Sequence, residues 1–192
     1  VLVKMGEFKA LTFDELFEKT KSLPWEEWIP EDGNFIVEGK SVKSKLFSIS
    51  DSQRIVEKAV VERLKTKYPV EWFNKTGPRY RIEVSLLKDI ATLTIDTSGE
   101  GLHKRGYRDR AGTILIEAAM IGKNIAPGLD RKFDAENWDI IPKDYWAEEK
   151  VEAMRKIDHD TTLHLLGSDT DKRSILRARD NAANVGLEDD IA

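Results

Sequence analysis

Leu163-His164-Leu165-Leu166-Gly167-Ser168-Asp169-Thr170-Asp171 is the stretch on which the fold of this chain turns. The apolar residues from Thr161 to Leu166 predict a short strand, and Gly167 to Asp171 predicts an acidic turn. Lys172 to Val185 predicts a helix, ended by Gly186. Strand, acidic turn and helix in that order form a βα unit of a parallel α/β sheet. Ligands of such sheets bind at the carboxyl ends of the strands. A carboxylate held there can accept both hydroxyl protons of a ribose, so Asp169 is a candidate for a nucleoside cofactor. Asp171 opens the helix, where an aspartate also serves as an N-cap.

Working back from this unit, Thr113 to Ile121 predicts a small-residue apolar helix ending at Gly122. Asn124 to Trp138 reads as irregular, with Pro127-Gly128 as a turn. Lys143 to Ile157 predicts an amphipathic helix rich in both charges. The front of the chain differs. A strand is expected over Val1 to Phe8. A helix begins at Thr12-Phe13-Asp14-Glu15, the threonine capping with the glutamate three residues on. Trp25, Trp28 and Ile29 are expected to cover a core. Asn34 to Val37 is a short strand. A second helix opens at Ser50-Asp51-Ser52 and carries Ile55, Val56, Ala59, Val60 and Leu64 as one apolar stripe. Arg79 to Leu87 and Ile90 to Thr97 alternate as strands around the two-residue connection Lys88-Asp89, which predicts a hairpin. The front half is thus α+β with an antiparallel sheet.

Between the halves lies Gly101-Leu-His-Lys-Arg-Gly-Tyr-Arg-Asp-Arg110, charged and without periodicity, which reads as a linker. Lys104, Arg105, Arg108 and Arg110 can neutralise neighbouring phosphates, and Tyr107 can stack on a base. A solvated loop whose arginines pair with the acidic back half fits the same residues. Lys40, Lys43 and Lys45 form a second cluster, read either as a solvated face or as phosphate contacts. The net charge of −4 is unevenly placed, nearly balanced up to Arg110 and acidic beyond it.

Composition narrows the classes. There are no cysteines, which excludes disulfides and thiolate metal sites and fits a cytoplasmic setting. Of the histidines, His159 and His164 are five apart, neither a helix face nor a usual zinc pair, so no metal is expected. No uncharged apolar run reaches bilayer length, and no secretory signal marks the start.

Taken together, the Gly101-Leu-His-Lys-Arg-Gly-Tyr-Arg108 string, the Thr-Ile-Leu-Ile-Glu-Ala-Ala helix from Thr113 and the Gly167-Ser-Asp-Thr-Asp171 turn resemble the THUMP-domain RNA methyltransferases. The branch most resembled is the bacterial enzymes that methylate the guanine exocyclic amine of large-subunit (23S) ribosomal RNA. That branch is often catalogued as adenine-specific methylases. The resemblance implies an α+β THUMP module with a remnant of a ferredoxin-like region at 1–98 and a basic linker at 99–112. At 113–192 it implies part of an α/β Rossmann-like methyltransferase domain. It further implies S-adenosyl-L-methionine as cofactor, held by Asp169, Asp171 and Thr113. RNA would be bound through Lys104, Arg105, Tyr107, Arg108, Arg110, Lys43 and Lys45.

The resemblance also shows what is missing. The family's cofactor loop, Asp-Pro-x-x-Gly-Ser-Gly-Thr, stands directly before the Ile-Leu-Ile-Glu-Ala-Ala helix. Here Thr113 matches its last residue but follows Arg110-Ala111-Gly112. The catalytic Asn-Pro-Pro-Tyr tetrapeptide does not occur, so no catalytic residue is assigned. Residues are therefore expected to be omitted between Gly112 and Thr113. A direct peptide bond there, with Cα atoms about 3.8 Å apart, would instead mean a shortened protein. Three alternatives remain: an RNA-binding adaptor without catalysis, an adenine-N6 methyltransferase, and an oxidoreductase using Asp169 on an NAD ribose. The last lacks a Gly-x-Gly-x-x-Gly before a helix.

Overall fold

The computed structural model describes residues 1–99 and 110–192. They fall into two compact units, one of 1–99 together with Phe133–Ile141, the other of 110–132 with 142–192.

In the first unit, local chemistry sets the ends of the helices. Thr12 has extended backbone, and its hydroxyl accepts the Glu15 N–H at 3.2 Å. The Glu15 carboxylate in turn accepts the Leu11 N–H at 2.7 Å, so α1 (Phe13–Lys21) is closed as the sequence predicts. α2 (Ile49–Leu64) starts slightly earlier than expected. Its cap is Ser48, whose hydroxyl accepts the Asp51 N–H, not Ser50. Val56, Ala59, Val60 and Leu64 of its stripe are fully buried.

Four strands make one sheet in the order β1 (Leu2–Lys9), β4 (Ile90–Asp96), β3 (Arg79–Leu87), β2 (Asn34–Val42). The hairpin β3–β4 is present as predicted. Lys88 and Asp89 both have positive φ, 50° and 66°, the geometry of the two-residue turn that matches strand twist. The expectation of an antiparallel sheet is corrected, because β2 runs parallel to β3 from Asn34↔Arg79 to Val42↔Leu87. α2 forms the crossover that parallel neighbours require, returning the chain to the end at which β2 began. β2 is also longer than the predicted Asn34–Val37. Its polar half, Glu38 to Ser41, keeps pairing with β3, and the face opposite Gly39 carries the Lys40–Glu83 ion pair at 2.7 Å. Gly39 hides the strand signal, because α2 passes over it. A Cβ there would meet Gln53 and Ile49 at 3.1 and 3.2 Å.

The other face carries the core. Tyr80, Ile82, Val84 and Leu86 of β3 and Ala91, Leu93 and Ile95 of β4 are buried with Leu16 and the α2 stripe. Each of the larger side chains contributes about 1.5–3 kcal/mol by leaving water. Trp25 and Ile29, expected to cover the core, lie fully within it, and the Trp25 indole donates to the Thr20 carbonyl at 2.8 Å. The segment read from sequence as irregular supplies the last wall. Trp138 is fully buried and stacks on Tyr80 at 4.7 Å, while Trp28 meets its edge at 6.4 Å. Its indole N–H donates to the Arg79 carbonyl at 2.8 Å, and the Ala135 N–H reaches Thr97.

The second unit has a small core. Ile116, Ala119 and Met120 of α3 (Thr113–Gly122) meet Ala182 of α5 (Lys172–Asn184) and Leu187. Leu163, Leu165 and Ile191 lie against this cluster. α4 (Lys143–Arg155) buries no residue. The strand expected over Thr161–Leu166 is corrected to a single parallel bridge, Leu165↔Ile191. Its hydrogen bonds run Leu165 N–H to Asp190, Ala192 N–H to Leu165 and Gly167 N–H to Ala192, at 2.9–3.0 Å. Pairing stops there because the Leu163 N–H goes to the Asp190 carboxylate, not to a neighbouring backbone. Even so, bridge, turn and helix follow in βα order.

Candidate cofactor and RNA sites

Asp169 and Asp171 lie in the turn that leads from the Leu165 bridge into α5. Asp171 caps the helix, with one carboxylate oxygen 3.1 Å from the Arg173 N–H and the other accepting from the Ser174 hydroxyl at 3.0 Å. The Arg173 N–H bond, with the Ser174 hydroxyl next, holds its carboxyl below the usual carboxylate range. Asp169 is exposed and accepts the Asp171 N–H at 2.9 Å through one oxygen. The capping role read as one option for Asp171 is therefore present, and Asp169 is the carboxylate of the pair left outside the helix.

Thr113 takes the first position of α3. Its hydroxyl donates to the Arg110 carbonyl at 2.7 Å. Gly112, just before α3, is left-handed at φ 75°, and its carbonyl accepts the Ile116 N–H at 3.0 Å. Ala178 of α5 lies 2.8 Å from where a Gly112 Cβ would stand. Gly167 is crowded as well, its would-be Cβ falling against the Leu115 side chain. α3 is thus wedged between α5 and the Gly167 turn, and no glycine loop precedes it. An exposed carboxylate beyond a parallel bridge has the chemistry to accept hydrogen bonds from ribose hydroxyls. Among the described residues ahead of α3, no glycine loop is placed to cradle the amino-acid end of such a ligand.

Of the RNA-directed residues, Lys104, Arg105, Tyr107 and Arg108 lie outside the described residues. Lys43 and Lys45 are exposed just beyond β2, Lys43 with φ 51°. Lys40 is taken up by Glu83.

A buried ion pair escapes sequence reasoning. Asp190 is only 4% exposed, accepts the Leu163 N–H at 3.0 Å and meets the Lys123 ammonium at 2.9 Å. Those two bonds, the Leu163 N–H first, hold its carboxyl below the usual range. In the run Glu188-Asp189-Asp190 one carboxylate looks like the next, so only the fold singles it out. Among the described residues no group of His, Asp and Glu is placed to hold a metal ion.

Two family models match parts of the chain. Residues 10–96 match the THUMP domain, and residues 111–192 match the RMKL-like methyltransferase domain. Each match spans less than half of the chain. It is 45% identical to the "Putative RNA methyltransferase YpsC" of Bacillus subtilis (strain 168), over 98% of this chain and 58% of that protein. Among solved structures it resembles a predicted N6-adenine-specific DNA methylase of Listeria monocytogenes str. 4b F2365, with TM-score 0.91 and 46% identity, over 98% and 58% of the two chains. A possible methylase of Clostridium difficile 630 gives 0.95 and 39%, over 100% and 59%. SMU.472, "a putative methyltransferase complexed with SAH", gives 0.91 and 38%, over 98% and 59%. The chain therefore spans under three-fifths of the length of the relatives it matches. The match to YpsC runs over 223 residues against 192 here, so YpsC carries residues inside the matched region that this chain lacks.

Proposed function

We propose that this chain is the RNA-reading and cofactor-ribose part of an S-adenosyl-L-methionine-dependent RNA methyltransferase of the cytoplasm, acting on an exocyclic base amine. The observation that carries this is the likeness, along 98% of this chain, to YpsC and to SMU.472, the latter crystallised with the demethylated cofactor. S-adenosyl-L-methionine supplies an electrophilic methyl group when bound. Asp169 accepts hydrogen bonds from the ribose, Asp171 fixes the turn that presents it, and Gly112-Thr113 marks where the missing loop belongs. The first unit holds RNA. No step of methyl transfer is assigned to a residue of this chain.

The base we favour is guanine N2 of large-subunit ribosomal RNA, on the motifs of the 101–108 string, the α3 helix and the Gly167–Asp171 turn. Adenine N6 is the second reading, favoured by the name given to the Listeria protein. The test is methylation of ribosomal RNA from an enzyme-deficient strain by the complete enzyme, with products mapped by mass spectrometry. N2-methylguanosine supports the first reading, and N6-methyladenosine replaces it with the second. RNA binding with no cofactor binding by the complete enzyme would leave only the adaptor.

A further inference from the structure

Among the described residues of the first unit, two aromatic rings are strongly exposed, Phe47 and Trp72, each at 82%. They stand at opposite ends of the sheet. Trp72 precedes β3 and lines a hollow with Pro30, Glu31, Asp32 and Asn74, where a polyanion would be repelled. Phe47 follows β2 at the end where β1 and β3 also finish and β4 begins.

That second end is cationic and fixed. Lys9, Lys43, Lys45 and Lys88 stand at or just beyond the strand ends, and none has an ion-pair partner among the described residues. Asp89, the acid in the hairpin turn, accepts the Lys45 N–H at 2.7 Å through its carboxylate. Its own N–H donates to the Ser44 hydroxyl at 3.0 Å, and the Lys88 N–H donates to the Val42 carbonyl at 3.1 Å. The loop after β2 is thus tied to the hairpin tip, so Lys43, Lys45 and Lys88 are presented together. Asp51, the nearest acid on α2, accepts the Ser48 hydroxyl at 2.5 Å. Val42, Leu87 and Ile90, from 37% to 52% exposed, add apolar surface between the lysines.

We propose that this sheet end binds an unpaired nucleotide of RNA, Phe47 stacking on its base while Lys43, Lys45 and Lys88 neutralise the flanking phosphates. The inference rests on reading the first unit as RNA-binding and names the feature it reads. Lysines alone would hold any phosphate backbone. An open aromatic face adds affinity only for a base whose own face is free, which a duplex does not offer. An acidic protein segment would use the lysines and gain nothing specific from the ring.

Ultraviolet cross-linking of the chain to uridine-rich single strands, followed by tryptic digestion, is expected to place the nucleotide mass on the peptide Leu46–Arg54. F47A is expected to weaken single-strand binding about ten-fold and leave duplex binding unchanged, whereas F47W keeps both. K43E with K88E is expected to weaken both kinds of RNA and flatten the salt dependence. Equal losses from F47A and W72A, no loss from F47A, or displacement of the single strand by an acidic peptide with F47A and wild type alike would overturn the proposal. Phe47 is exposed, so circular dichroism of F47A should match the wild type. Wild-type chain that binds RNA without regard to Phe47 sinks this inference alone. A chain that binds no RNA sinks the underlying reading.

Discussion

At the scale of single residues, carboxylates with different surroundings have different work. Asp190 is buried and doubly bonded, and its folded pKa is lowered. A lowered folded pKa contributes stability above the unfolded value, about 4, and that contribution is lost as pH falls through the folded value. D190N is expected to cost about 1–2 kcal/mol at pH 7, the price of weakening a buried bonded charge. The gap between variant and wild type should narrow below about pH 4; urea midpoints at pH 7 and pH 3 check both parts. A gap that stays constant would mean that Asp190 does not titrate with folding. Asp169 is exposed and should behave oppositely. D169A is expected to leave the urea midpoint in place and to weaken S-adenosyl-L-methionine binding by the complete enzyme about ten-fold or more, a charged hydrogen bond being worth about 1.5–3 kcal/mol. Titration calorimetry that finds the affinity unchanged would remove Asp169 from the ribose.

At the scale of elements, the start of α3 and the Trp138 segment show where backbone and packing decide. Gly112 combines φ 75° with an Ala178 contact that leaves no room for a methyl group. G112A is expected to cost about 1–3 kcal/mol through strain alone, read as a lower thermal midpoint. A midpoint unchanged or raised would show that the helix start can relax. Trp138 stacks on Tyr80, whose hydroxyl is buried with no hydrogen-bond partner. Burial pushes the Tyr80 hydroxyl far above its ordinary pKa, with Asp139 and Asp32 adding to the effect. W138A should cost about 3–5 kcal/mol and open the Tyr80 wall to water, shifting tyrosine fluorescence. The helices and the hairpin of the first unit were legible because capping, 3.6-residue spacing and two-residue alternation are local signals. Trp138 was not, since its role comes from meeting Tyr80, 58 positions away in the chain.

At the scale of the whole molecule, the Gly112–Thr113 junction bears on activity. The 192-residue chain is expected to bind S-adenosyl-L-methionine far more weakly than the same chain with an Asp-Pro-x-x-Gly-Ser-Gly loop and its preceding strand and helix restored before Thr113. Calorimetry on the two chains is the measurement, and equal affinities would separate cofactor binding from the loop. The sequence by itself determined the helices, the β3–β4 hairpin, the family motifs and the absence of the loop, because each is written in contiguous residues. Only the tertiary structure decided that β2 lies parallel to β3 and that Phe133–Ile141 belongs with the first unit. It alone reduced the predicted strand at Thr161–Leu166 to one bridge and chose Asp190 from three adjacent acids. Periodicity records which face of an element is apolar, but strand direction, pairing length and the partner of a buried charge depend on what the rest of the chain brings alongside.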